Sequence, residues 1–283
     1  MDEPADFTNE GEALRGVLGR PDGEDRGAGV VLLHGWGSCR LGPHRILVQT
    51  ARELNARGFW TLRFDHRGRG ESEGRSEDVN LDGMISDACR AVECLRDRAG
   101  CGRVALLGIC SGGNVAIGAA TLLEEVPALV VWSTLPFQTH HTRGQDLRRT
   151  GFFLAEYARK AVRLETWRRF FKGRISLGGV ANVLFGHYAK EEGPEKANPK
   201  DSERDIMAAL RQYRGRVLFT YGGRDPESVE AKGVYEPFCS ESGIRAEFQV
   251  VEGSNHNFYG REWKRQVIER SASFLEECMP KSR

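Results

Sequence analysis

The chain has 283 residues, 40% hydrophobic and 29% charged, and its 41 Lys plus Arg against 40 Asp plus Glu leave a net charge of +1. This ordinary composition supports a sizeable globular core, and the balanced charge gives no electrostatic case for nucleic acid. No apolar run reaches the ~18–20 residues of a membrane span. The acidic start Met1-Asp2-Glu3-Pro4-Ala5-Asp6 lacks the apolar stretch of a secretory signal. The seven cysteines, Cys39, Cys89, Cys94, Cys101, Cys110, Cys239 and Cys278, are odd in number and form no paired C-x-x-C. They read as reduced thiols of a cytoplasmic protein, and no metal or other cofactor is expected.

Residues 12–20 read as a strand ending at Pro21. A polar turn leads to Gly29-Val30-Val31-Leu32-Leu33, an all-apolar run suited to a strand buried on both faces. His34-Gly35-Trp36-Gly37 and a helix near 43–57 follow. Phe59 to Phe64 is the next strand, and residues 79–98 are helical, with Leu81, Ile85, Ala88 and Val92 spaced by three or four. Val104 to Leu107 is another buried strand, 111–124 a helix, and Ala128 to Trp132 a further strand. No buried strand is expected from 135 to 201. The alternation resumes with a strand at 217–221, a helix at 228–242, a strand at 245–251 and a helix at about 261–278. Strands alternating with helices over this length predict an α/β fold with a parallel sheet covered on both faces.

The sharpest local signal is Gly108-Ile109-Cys110-Ser111-Gly112-Gly113, between a buried strand and an Ala/Gly-rich helix. In a G-x-S-x-G elbow the nucleophile sits on a strained strand-to-helix turn, and flanking glycines leave room for it. Gly108 and Gly112 centre that pattern on Cys110. A register with Ser111 as nucleophile needs glycine at 109, where the chain has Ile. A lone buried cysteine is more often a small hydrophobe. Here the turn sits at a helix N-terminus, whose dipole favours the thiolate. Ser111 is then expected to point its side chain away and offer its backbone N–H to an oxyanion.

Further motifs are His34-Gly35-Trp36-Gly37, Asp65-His66-Arg67-Gly68-Arg69-Gly70-Glu71-Ser72, Asp225 in Gly222-Gly223-Arg224-Asp225-Pro226, and His256 in Gly253-Ser254-Asn255-His256-Asn257-Phe258. Together they resemble the α/β-hydrolase superfamily over nearly the whole chain. That resemblance implies a mostly parallel eight-stranded sheet with a helical lid inserted after the sixth strand. The core would be 1–134 with 202–283, and the lid 135–201.

It also implies the chain order nucleophile, acid, histidine, and so a Cys110–His256–Asp225 triad. The turn Ser133-Thr134-Leu135-Pro136, a rival place for the acid, has no carboxylate before Asp146. His66 comes too early in the chain, His34 reads as a brace for its own loop, and His140, His141 and His187 are the other rivals. The backbone N–H groups of Trp36 and Ser111 would hold the oxyanion. A finer resemblance, through the cysteine elbow and residues 157–173 (YARKAVRLETWRRFFKG), is to exosortase-system-associated hydrolases.

Residues 141–175 hold ten basic side chains against three acidic ones, a net of +7, interleaved with six aromatics including Trp167. Two readings stand: an amphipathic helix pair with solvated arginines, or a site for an anionic, partly apolar acyl substrate or a peripheral membrane surface. His140, His141 and Trp167 are the substrate-binding candidates. The expected activity is hydrolysis of a small-molecule carboxylic ester or thioester through an acyl-cysteine. The alternatives are acyl transfer through the same intermediate and ligand binding without turnover.

Overall fold

The apolar runs of the sequence are the central strands of one large sheet. The computed structural model describes residues 2–137 and 202–281. In chain order the strands are β1 (Asp2–Pro4), β2 (Phe7–Asn9), β3 (Glu12–Leu14), β4 (Gly16–Gly19), β5 (Ala28–Leu33), β6 (Trp60–Phe64), β7 (Arg103–Ile109), β8 (Ala128–Trp132), β9 (Arg216–Gly222) and β10 (Arg245–Val251). The α-helices of the described residues are α1 (Ile46–Ala56), α2 (Leu81–Ala99), α3 (Ser111–Ala120), α4 (Ile206–Gln212), α5 (Pro226–Glu241) and α6 (Arg261–Cys278).

Eight strands form the sheet in the order β1-β4-β6-β5-β7-β8-β9-β10, and β2 and β3 form a separate hairpin. β4 is the one strand of this sheet that runs opposite to the rest. From β6 to β10 every pairing is parallel. This is an α/β-hydrolase fold. Its sixth sheet strand is β8, after which the chain runs into residues 138–201, outside the described residues. The lid reading and the candidates His140, His141 and Trp167 fall there.

Alternation along each central strand feeds two cores. Val31, Leu33, Leu106, Val131 and Phe219 pack with α2, α3, α4 and α5 on one face. Val30, Leu32, Leu107, Val130, Trp132 and Leu218 pack with α1 and α6 on the other. Buried strands of this kind, covered on both sides, bind ligands at their C-terminal ends. Among the described residues no helix is long and apolar enough to cross a membrane.

Three details differ from the sequence expectation. The strand read at 12–20 breaks at Arg15, because β3 pairs with β2 while β4 joins the large sheet. Asp6 stabilises the break, accepting from Gly16 N–H at 3.2 Å and from the Arg15 guanidinium at 2.8 Å. The expected helix at 43–57 begins with a separate 3-10 turn, Pro43–Arg45, and the helix expected at 111–124 stops at Ala120.

Candidate active site

Cys110 sits between β7 and α3 with φ 57° and ψ −128°, a left-handed conformation that a residue with a Cβ adopts only under constraint. The constraint comes from four directions. Cys110 N–H donates to Trp132 O at 2.8 Å, and its carbonyl accepts from Gly113 N–H at 3.0 Å and Thr134 Oγ1 at 2.8 Å. A Cβ at Gly108 would lie 2.1 Å from Gly112 O, and one at Gly112 would lie 2.5 Å from Leu33 O. Both flanking glycines are therefore sterically required. The backbone of Gly35, in the loop after β5, lies close against Cys110; a Cβ there would come within 3.1 Å of Cys110 Cβ.

The acid and the histidine arrive from the two strand ends at the far side of the sheet. Asp225 ends the turn after β9 and is the N-cap of α5, accepting from Glu227 N–H at 3.2 Å, with Pro226 in the first turn. His256 lies in the turn after β10. Gly222 lets these two turns meet, since a Cβ there would fall 2.5 Å from Asn255 O. His256 Nδ1 is 2.8 Å from Asp225 Oδ2, and Ser228 Oγ donates to the same oxygen at 2.9 Å. The His256 carbonyl accepts from Ser133 Oγ at 2.8 Å, which fixes the loop behind the ring.

With Nδ1 bound to the carboxylate, the other ring nitrogen, Nε2, is left to pair with the Cys110 thiol. Burial pushes the thiol pKa up, but the hydrogen bond and charge of His256 and the Ser111 N–H bring it below its ordinary value. Burial disfavours the imidazolium, yet Asp225 and Cys110 hold its proton to about 10. Asp225 is likewise opposed by burial and drawn below the usual carboxylate range by His256 and Ser228. Each of the three groups is thus drawn toward its charged form: carboxylate, imidazolium, thiolate. Asp225, Glu227 and His256 also bring ligand atoms within 4.8 Å of one another, but a cation there would compete with the Nδ1–Oδ2 bond.

The expected oxyanion donors meet in an unexpected way. Trp36 N–H donates to Ser111 Oγ at 2.6 Å. The Ser111 side chain thus does not point away; it turns toward the loop after β5. The physical reason is that Trp36 N–H lies within reach of the first residue of α3, and a nearby hydroxyl satisfies it.

That loop is held from beneath. His34, fully buried, faces Gly35 O through Nδ1 at 2.8 Å and accepts from His66 N–H through Nε2 at 3.2 Å. The His66 bond assigns the proton to Nδ1. Burial first, and the nearby charges of His66 and Arg69 second, drop its pKa to about 3, so it is a neutral brace.

Sequence reasoning missed the buried polar group under this brace. Asp87, on the apolar face of α2, accepts from Arg67 Nη2 at 2.7 Å, Arg67 N–H at 3.0 Å and Asn9 Nδ2 at 2.8 Å. Its carboxyl stays well below the usual range: burial opposes this, and the nearby His66 ring at 3.7 Å and the hydrogen bonds of Arg67 outweigh it. A charged residue at a helical core position was the available signal.

The sequence model of the alpha/beta hydrolase family matches residues 30–270. Over 96 residues, 34% of this chain, the sequence is 35% identical to the human protein ABHD12B, and the match spans 25% of that protein. Among solved structures, the alpha/beta hydrolase GrgF from Penicillium sp. sh18 superposes with a TM-score of 0.67 at 18% identity, covering 99% of each chain. Est1E from Butyrivibrio proteoclasticus, solved with ferulic acid, gives 0.65 at 17% identity over 98% of this chain and 99% of its own. A dienelactone hydrolase from Anabaena variabilis gives 0.63 at 16% identity over 99% and 98%. These structural likenesses speak for the fold alone, whereas the family model covers most of the sequence: the chain belongs to the alpha/beta hydrolase family.

Proposed function

We propose that this protein hydrolyses a small-molecule carboxylic ester or thioester through a Cys110–His256–Asp225 triad and an acyl-cysteine intermediate. The observation that carries the reading is the thiol at the strained elbow, in hydrogen bond with a histidine whose Nδ1 is 2.8 Å from a buried carboxylate. The Cys110 thiolate attacks the carbonyl carbon, and the carbonyl π pair moves to oxygen. His256 Nε2 gives its proton to the departing alkoxide or thiolate. It then takes a proton from the water that cleaves the acyl-cysteine.

The nucleophile's identity supports acyl transfer as a second reading. An acyl-cysteine is itself a thioester and reacts readily with amines and thiols, so an acceptor could replace water without any change in the triad. The finer resemblance to exosortase-system-associated hydrolases rests on Cys110 and on residues 157–173, which lie outside the described residues. An anionic acyl substrate and a cytoplasmic setting remain part of the proposal on sequence grounds.

The test is intact-protein mass spectrometry after mixing with 4-nitrophenyl acetate and a panel of acyl thioesters. One acyl group should add to the wild-type chain, map to Cys110, and be absent from Cys110→Ala. Undiminished turnover in Cys110→Ala removes the cysteine from the mechanism.

A further inference from the structure

Building on the acyl-cysteine reading, we propose that the Ser111 hydroxyl is itself an oxyanion donor, aligned from behind by Trp36 N–H. Trp36 becomes a positioning residue in this arrangement, because it acts through Ser111.

Trp36 N–H, the expected donor from the loop after β5, is already bonded to Ser111 Oγ at 2.6 Å. That amide is thus occupied in the free enzyme. A hydroxyl that accepts one hydrogen bond still carries its own hydrogen, and accepting polarises the O–H toward donation. No acceptor for that hydrogen exists among the described residues. Ser111 directly follows Cys110 at the start of α3, so its hydroxyl is carried by the residue next to the reacting sulfur. The helix N-terminus at Ser111 adds positive potential there.

Bond formation then changes the bookkeeping of donors. The thiolate's electron pair becomes the new S–C bond, and sulfur loses its negative charge. The carbonyl oxygen gains the π pair and becomes the strongest acceptor nearby. It receives the Ser111 hydroxyl beside the expected Ser111 amide, while Trp36 keeps Oγ in place. A donor that meets full negative charge only in the transition state gives differential stabilisation, which is the kind that raises rate. When the tetrahedral adduct collapses, the leaving group takes the His256 proton and the carbonyl re-forms.

Ser111→Ala and Ser111→Thr of the full chain separate this from a structural role. Three readouts apply: alkylation of Cys110 by iodoacetamide against pH, acylation by 4-nitrophenyl acetate, and affinity for [1-13C]butanal, which forms a thiohemiacetal with the thiol. Alkylation creates no oxyanion, so its rate and pH profile should stay within twofold in both variants. Acylation and thiohemiacetal affinity should fall roughly 10- to 100-fold in Ser111→Ala, the order expected for one lost oxyanion donor. Both should stay within about threefold in Ser111→Thr.

Acylation that is unchanged or faster in Ser111→Ala overturns the proposal, because the hydroxyl then only blocks Trp36. A parallel fall in alkylation overturns it in favour of a structural role. If the wild type is not acylated by any ester or thioester, the hydrolase reading fails by itself. The aldehyde measurement still decides Ser111: equal affinities in wild type and Ser111→Ala, or no adduct on a thiol that does alkylate, reject it.

Discussion

Replacing Asp225 by asparagine tests the charge chain with little change in shape. Asp225 receives three donors, of which only His256 Nδ1 at 2.8 Å is cationic; Ser228 Oγ and Glu227 N–H are neutral. Asparagine keeps the size and still caps a helix well. The loss is therefore one charge-assisted hydrogen bond, about 1.5–3 kcal/mol. At 1.36 kcal/mol per tenfold change in proton affinity, the His256 midpoint should drop from about 10 to roughly 8–9.

The same energy is lost wherever the imidazolium forms along the reaction, so kcat/KM should fall roughly 10- to 100-fold. The assay is NMR titration of [15N]histidine-labelled protein, with the resonance assigned by His256→Gln, beside turnover of 4-nitrophenyl acetate. An unmoved His256 midpoint in Asp225→Asn refutes the reasoning, since Cys110 alone would then hold the proton. Asp225→Ala should melt about 2–4 °C lower than Asp225→Asn, because it also loses a cap worth about 1 kcal/mol.

Three further outcomes follow from the geometry. Gly108→Ala drives a Cβ to 2.1 Å from the Gly112 carbonyl, so the elbow must deform; a loss of about 1–3 kcal/mol or failure to fold is expected in thermal melts. His34→Phe leaves Gly35 O and His66 N–H buried without their partner, each costing about 1–3 kcal/mol, and a melting point within 1 °C of wild type would contradict the bracing role. The pH dependence of stability separates the pair. Folded His256 holds its proton above the ordinary 6.5, and folded Cys110 loses its proton below the ordinary 9.0. Above both 6.5 and the folded Cys110 value, and up to 9.0, the folded pair and the unfolded pair each hold one proton, so their opposing slopes cancel. Cys110→Ala leaves only the raised histidine, whose contribution is full below about 6.5 and lost as pH rises through its folded value. The variant's melting point should therefore fall relative to wild type from pH 7 to 9; a constant difference contradicts the ion pair.

The central sheet was legible because β5, β7 and β8 are apolar on both faces, and a run such as Val30 to Leu33 has few other uses. The elbow was legible because backbone crowding dictates glycine at 108 and 112. What escaped depends on contacts between distant segments. β1 is three exposed or half-exposed residues whose strand character comes only from pairing with β4. The Ser111 rotamer depends on Trp36, 75 residues earlier, and no local pattern encodes that meeting. Asp87 reads as an error in the apolar stripe of α2 until Arg67 and Asn9 are folded around it.

The two histidines flanking the nucleophile's loops are driven to opposite charge states. His34 stays neutral down to about 3, and His256 stays charged up to about 10. Across the roughly neutral range where His ordinarily switches charge, neither switches. In the free enzyme, moderate acidification therefore alters neither the donor frame nor the imidazolium. A pH response of the acylation step in that range reports the Cys110 thiol or the substrate, not these two rings.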